Sequence, residues 1–452
     1  GVFVSKEVYD QLANQKEFEG VSLGLKSMKG VGWLIEVYGL KGDKLSEPNP
    51  NEYQDNKVAV HSDDEVPSIA IIPFRNKGKE EDAFYAYGIS ADLISDCSGA
   101  GLIRVASLED IEKVEHWDKL KADELASTLL VRYIAQGTLW KMGNMFQLSV
   151  ELYDTKDKRV VWSDRWQEKW DNLPMIKSSL SDGLLQSLDT KPKVEKKIET
   201  TNPEAYEFYL KAKLKYDKRE DLEDIVIAQG LLKKAIKMDN NLLIAKLLLS
   251  VSYARNGDYD KSMEIYLANL KKAEEIGDKD IKGRSLNNIG IVYKVKGDYD
   301  KALDYYGRSL AIAEELGDKR GMGRSLLSIG HMHWNKGDYE KALEYLEKSL
   351  AIQKEIGLKE LELATTTILY LTYKHLGKDY DEKEIHALIK EEENIEFELN
   401  LRLYELLEDK SYLETAYNQV QELADNLEPD VKLKFLSYPI PKAIVEEWEK
   451  VK

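Results

Sequence analysis

The sequence predicts a multidomain chain in which an α/β domain is followed by an all-α solenoid, with the short remnant of another domain in front. Three observations carry this reading. GDYDKS at Gly257 returns as GDYDKA at Gly297 and as GDYEKA at Gly337, a period of 40 residues. Self-similarity at fixed period marks stacked supersecondary units that bury their apolar faces only against their neighbours. Upstream, the apolar period changes from helical to two at Val131 and returns to helical after Asp171. Finally, residues 1–40 contain one short helical pattern and an apolar run from Val31 to Leu40, too little for an independent core.

The 452 residues suffice for two to four domains. With 43% hydrophobic and 33% charged residues, the composition is that of a globular chain and not of a disordered one. The formal net charge of −17 argues against nonspecific nucleic-acid binding, which needs Lys and Arg to neutralise phosphates. An acidic balance is common in bacterial-type cytosolic proteins, and a cytoplasmic location is expected. The single cysteine, Cys97, excludes an internal disulfide framework and reads as a small helix residue. The most apolar stretch, LLIAKLLLSVSYA, is interrupted by Lys246 and is too short to span a bilayer. The chain starts at Gly1 without Met, so a fragment or processed chain is expected, with targeting and catalytic information upstream.

In residues 1–40, VFVS reads as a strand and Ser5 as the cap of a short helix. A Leu23–Gly24 corner and a turn at Met28 follow. The motifs VFVSKEVYDQL, FEGVSLG and MKGVGWLIEVYGL resemble the closing segment of a class III adenylate/guanylate cyclase domain. That resemblance implies a triphosphate contact for Lys29, whose alternative is a solvated turn lysine, and Mg or Mn in the parent cyclase. It also implies homodimerisation through the missing part of the domain. Trp33 stands where that family often has proline. The family's metal-binding aspartates and its Asn/Arg pair would all lie before Gly1, so no catalytic residue is assigned and the fragment itself is expected to be inactive. Residues 41–66 are polar, carry Pro48 and Pro50, and read as a linker.

Residues 67–190 form the α/β domain. SIAIIPF reads as a buried strand, FYAYGISADLISDC as a helix and LIRVAS as a second strand. Ser107 caps the next helix with Asp110 three residues on, and Lys121 to Leu129 is a further short helix. Three strands then run to Trp170, with Phe146, Leu148, Val150 and Leu152 on one face, before a closing helix from Asp171 to Leu188. SIAIIPF, YGISADLI and YIAQGTLWKMGNMFQLSVELYDTKDKRVVWSDRW closely resemble the TolB-like domain found beside cyclase and repeat segments in bacteria. That resemblance implies a regulatory or interaction domain without catalytic residues. No phosphate loop, nucleophile elbow or HExxH pair is present. Trp140, Trp162, Trp166 and Trp170 read as core and rim packing, with a ligand platform as the alternative.

Residues 200–380 form the repeat array, opened by Thr201–Asn202–Pro203 with Pro where its missing N–H costs little. The spacing Gly290, Tyr293, Gly297, Tyr299, Ala302, Tyr306, Leu310 resembles the tetratricopeptide consensus, although 40 residues exceed the usual length and the excess is expected in the EELGDKR-type turns. A fourth, less regular pass falls at Tyr370 to Asp379. Helical geometry puts the first helix of each unit on the concave face. Its exposed positions are then Arg284, Asn287, Asn288, Ile291 and Lys294 in one unit, and Arg324, Leu327, Ser328, His331, Trp334 and Asn335 in the next. The array resembles longer-period peptide-binding adaptors, which implies that groove Arg and Asn hold peptide backbone and carboxylates. Ordinary solvated groove residues are the alternative. His331 and His333, two apart on a helix, point in different directions and make a poor metal pair. Residues 381–452 keep helical spacing and read as capping helices over the last apolar face.

Taken together, the chain resembles the C-terminal part of a bacterial class III cyclase with TolB-like and tetratricopeptide domains. The expected function is a non-catalytic regulatory or protein-interaction module binding a partner peptide or protein in the groove. The alternative is a nucleotide cyclase whose catalytic residues lie upstream or in a partner subunit. An autonomous transcriptional regulator lacks a basic recognition helix here.

Overall fold

The computed structural model describes residues 3–5, 19–27, 34–41, 67–99, 103–190, 200–392 and 394–452. Lys29, the helix expected after Ser5 and residues 42–66 of the linker lie outside them. Strands β1 (Phe3–Ser5) and β2 (Glu19–Ser27) flank β3 (Leu34–Lys41) in an antiparallel sheet. The expected Leu23–Gly24 corner is an irregularity inside β2, where the register jumps between Ser22 and Leu25. Three antiparallel strands are a common arrangement and do not identify a parent domain.

The next domain follows the order β4 (Ser68–Ile71), β5 (Arg75–Asn76), α1 (Ala83–Gly99), β6 (Arg104–Val105), α2 (Leu108–Glu112), α3 (Ala122–Leu129), β7 (Tyr133–Met142), β8 (Met145–Asp154), β9 (Arg159–Lys169) and α4 (Leu173–Ser187). Its strands form one mixed sheet, ordered β6-β4-β7-β8-β9 with β5 beside β7. The strand β4 is parallel to both neighbours, and β7 to β9 run as an antiparallel meander. Ser107 caps α2 as expected: its hydroxyl accepts from the Asp110 N–H at 3.0 Å, while the Asp110 carboxylate accepts from the Ser107 N–H. Phe146, Leu148, Val150 and Leu152 are all buried in one cluster with α1 and α4, and Cys97 is buried among them. The tryptophans do not form one platform. Trp170 packs edge-on against Tyr85, Trp162 lies against Gly183 of α4, and Trp140 is exposed.

The array comprises helix pairs α5 (Pro203–Asp217) and α6 (Leu222–Met238), α7 (Leu243–Arg255) and α8 (Tyr259–Ile276), α9 (Lys279–Val295) and α10 (Tyr299–Leu316), α11 (Lys319–Asn335) and α12 (Tyr339–Ile356), then α13 (Glu362–Leu376) and α14 (Glu382–Glu391). The repeated Gly-Asp-Tyr is one tight corner. Gly257, Gly297 and Gly337 take φ of +78°, +80° and +77°, a region that only glycine enters without strain. Asp258 and Asp298 then cap the following helices, accepting from the N–H groups of Lys261 and Lys301 and pairing with their ammonium groups. Asp338 pairs with Lys341 in the same way. Gly290 and Gly330 let the two helices of a unit touch, because a β-carbon there would stand 2.6 Å from the Tyr306 ring and 2.7 Å from Leu346.

The extra repeat length is not in the turns. Only Gly277–Asp278 and Gly317–Asp318 separate consecutive units, so EELGDKR is largely helical and the helices themselves are long, 17 or 18 residues. Longer helices hold recurring ion pairs at both ends: Lys279–Glu315, repeated as Lys319–Glu355, joins the two helices of one unit, and Lys296–Asp260, repeated as Lys336–Asp300, joins one unit to the next.

Two contacts extend beyond the sequence expectation. Helix α1 packs on α5 so closely that a β-carbon on Gly88 would meet Leu210 at 2.7 Å. Asp92 accepts hydrogen bonds there from the Tyr206 and Tyr209 hydroxyls at 2.8 and 3.0 Å, and Lys213 stands 3.5 Å away. One apolar cluster therefore runs from the sheet through α1 into α5, α6 and α7. At the other end, α15 (Phe397–Leu407), α16 (Lys410–Asp425), α17 (Pro429–Ser437) and α18 (Pro439–Val451) do more than cap the last repeat. They turn back over the array. Leu401, Leu413, Val420, Phe435 and Ile444 share a cluster with Leu243, Leu247, Tyr259 and Tyr266, while Leu403 and Leu406 pack with Leu346 and Leu369. The physical reason is that α15 is apolar on two sides, which a simple terminal cap cannot bury.

Candidate functional site

The inner helices α7, α9, α11 and α13 line the concave face, and the sequence-derived positions divide there into two halves. Near the start of α11, Arg320 and Arg324 both donate to Glu360 Oε1, at 2.6 and 2.7 Å. On the neighbouring helix, Arg284 reaches Asp280 at 3.5 Å. The Arg324 side chain remains 44% exposed. Burial, followed by repulsion from Arg320 and Arg284, pushes its guanidinium below the ordinary value, with Glu360 partly offsetting the effect. For Glu360, burial would raise the carboxyl, but Arg320 and Arg324 hold it down at about 2. A guanidinium carries five N–H donors in a planar fork, so one shared carboxylate leaves donors over for another acceptor. The Arg320 Nε is buried with no protein partner.

The other half is covered. Lys294 pairs with Glu398 of α15 at 2.7 Å, and His331 Nε2 lies 3.9 Å from the same carboxylate. Arg402, one turn on, stacks over Trp334 at 4.6 Å and approaches Asn335 Oδ1 at 3.5 Å. His331, expected on the open groove, is buried at 9% exposure, and Lys294, Trp334 and Asn335 are in contact with the chain's own helix. The expectation of a single open face is corrected accordingly: a helix wheel on one repeat cannot show that a segment about a hundred residues later lies on it. Ile291 and Leu327 contribute to apolar clusters between helices, and the Asn287 Oδ1 is buried without a protein partner. Asn287, Asn288 and Ser328 stay partly exposed between the halves.

Burial, then the Lys294 charge, lowers the His331 imidazole to about 3, so it is neutral at pH 7. Burial would raise Glu398, but Lys294 overrides it and the carboxyl is held at about 2. His333 points elsewhere, stacking on Tyr345 and facing Asp338 at 3.4 Å. Among the described residues no group of three or more His, Cys, Asp or Glu could hold a metal ion, and no helix is long and apolar enough to cross a membrane. Sequence reasoning missed Arg320, Glu360, Glu398 and Arg402. Arg320 was legible as the i−4 neighbour of Arg324 on one helix face. The carboxylates and Arg402 were not, because they arrive from other elements.

Comparison with known proteins bears on the array. Residues 241–315 and 323–356 match models described as tetratricopeptide repeat. No curated protein matches the chain. Among solved structures, similar chains include a Rap protein complexed with competence and sporulation factor, at 15% identity over 62% of this chain and 81% of that one, TM-score 0.40. BtubC from P. vanneervenii is 21% identical over 41% and 85%, TM-score 0.33. TolB from Acinetobacter baumannii is 15% identical over 28% and 29%, TM-score 0.21. These scores lie below the level of a shared overall fold. The helix pairs between residues 241 and 356 are tetratricopeptide repeats.

Proposed function

We propose that this chain is a non-catalytic protein-interaction module whose concave face takes a carboxylate-rich or amide-rich segment of a partner protein. The observation that carries the reading is the cluster of Arg284, Arg320 and Arg324, where Arg324 is 44% exposed and Glu360 is shared between two guanidinium groups. Arginines so placed suit bidentate capture of a partner carboxylate. The test is capture of defined acidic peptides by the full chain and by its Arg284→Glu and Arg324→Glu variants. Loss of binding in both supports the assignment; unchanged binding sinks it.

The resemblance of residues 1–40 to a cyclase closing segment favours a second reading, a regulatory arm of a nucleotide cyclase in the cytoplasm that dimerises through its catalytic domain. The TolB-like resemblance of residues 67–190 is in keeping with that arrangement. Lys29 would be its triphosphate contact and Mg or Mn its metal, but the described residues offer no ligand set for the ion, so no step of that chemistry is assigned to them. Cyclic AMP or GMP formed from ATP or GTP and Mn²⁺ by the purified chain would replace the first reading with an enzymatic one.

A further inference from the structure

The 40-residue period sets equivalent positions of the inner helices side by side, so a cross-repeat contact in one unit has a counterpart in the next. Arg324 of α11 reaches Glu360, just before α13, at 2.7 Å. Both residues have an equivalent one repeat earlier: Arg284 of α9 stands where Arg324 does, and Arg320 stands where Glu360 does. The position that is an ion pair between α11 and α13 is therefore occupied by two guanidinium groups between α9 and α11. The charges of Arg284 and Arg320 both act on Arg324.

The nearby carboxylates do not restore the pattern. Asp280 lies one turn before Arg284 on the same helix, exposed and 3.5 Å away. Asp318 accepts from the Gly321 N–H as the cap of α11, and burial raises its carboxyl, which weakens it as a counter-ion. Glu360 serves Arg320 and Arg324 through a single oxygen. Arg320 places one amino group on Glu360 and the other 3.5 Å from Ser98 Oγ at the end of α1, while its Nε is buried without a protein partner. What suits this arrangement is one compact anion with several acceptor oxygens. A carboxylate offers two oxygens and a single charge; a phosphoryl group offers three and a charge of about −2 at pH 7, and accepts from several guanidinium groups at once. One turn beyond Arg284 and Arg324, Asn288 and Ser328 are partly exposed on the same helix faces, and their amide and hydroxyl suit a peptide backbone. The Trp334 ring, which could have served a nucleobase, is already stacked under Arg402.

We propose that Arg284, Arg320 and Arg324 form a phosphoryl-binding site, and that a partner segment docks there through a phosphorylated side chain. The proposal rests on the groove reading above and deepens it: modification of the partner, more than its overall acidity, decides whether it is held.

The test uses the full chain and three fluorescein-labelled peptides, identical in a neutral Gly/Asn sequence except for a central phosphoserine, glutamate or serine, with anisotropy as the readout. The phosphoserine peptide should bind about tenfold or more tightly than the glutamate peptide, and the serine peptide should not bind. Arg320→Glu puts a carboxylate opposite Arg284, as Glu360 stands opposite Arg324, so the chain should keep its fold while losing the phosphoserine peptide. Equal affinity for phosphoserine and glutamate overturns the proposal, as does phosphoserine binding that Arg320→Glu leaves unchanged. Displacement of the peptide by an equal concentration of inorganic phosphate overturns the partner assignment in favour of a free phosphate ligand. Should Arg320→Glu fail to fold, Arg284→Gln repeats the test, since its partner Asp280 is exposed on the same helix. Capture of acidic peptides that Arg284→Glu and Arg324→Glu abolish, without a preference for phosphoserine, strikes the phosphoryl assignment alone. A chain that holds neither acidic nor phosphorylated peptides fails both readings.

Discussion

The two halves of the concave face carry similar residues and meet different fates. At the start of α11, Arg324 keeps contact with water while Arg320 is mostly covered, and Glu360 is shared between them. Toward the ends of α9 and α11, Lys294, His331 and Trp334 are sealed beneath α15 by one ion pair, one cation–π stack and a set of leucines. What separates them is supplied from outside the repeats. The difference teaches that a repeat fixes where a groove runs, while the non-repeating helices decide how much of it is open.

The largest effect is expected from removing the apolar hold on the closed half. Leu403→Ala should destabilise the chain by about 2–5 kcal/mol in chemical denaturation, because the site is fully buried and relaxes only partly. A value near zero would mean that α15 is not packed as described. Next comes pH. The unfolded His331 imidazole titrates near 6.5 and the folded one near 3, so between these values the unfolded chain binds the extra proton. Stability should therefore fall as pH drops, by about 2 kcal/mol from pH 7 to 5, and His331→Gln should flatten that loss. Below pH 4.5, protonation of Glu398 should add to it, since that carboxyl is held at about 2 in the folded chain.

A smaller change is expected from Lys294→Met, which leaves the Glu398 carboxylate without its ammonium. The cost should be about 1–3 kcal/mol, toward the lower end because both side chains keep some contact with water, and Lys294→Met/Glu398→Leu should recover most of it. The smallest effect belongs to the open half. Arg324→Gln, which leaves Arg320 on Glu360, should cost no more than about 1 kcal/mol while abolishing capture of an acidic peptide. A stability loss as large as that of Lys294→Met would erase the contrast between the halves.

Much of the fold was legible because it is local. The Gly-Asp-Tyr corners, the Ser107 cap, the alternating Phe146 to Leu152 face and the antiparallel meander all follow from spacing within a few residues. The length of the repeat was legible but its location was not, since a helix of 17 residues and a long turn look alike when Gly and Asp both mark the boundary. In the site, the helical spacing puts Arg284 and Arg324 on the first helices of their units, where both side chains keep partial exposure. The cover over His331 was not found, because α15 carries no repeat signature and its contacts span roughly seventy to a hundred residues of sequence.

The core shared by α1 and α5 has a consequence for how the molecule can be divided. A chain shortened to begin at residue 200 would leave Tyr206, Tyr209 and Leu210 facing water in place of Asp92 and Gly88. It should therefore fold poorly, although every repeat would be present.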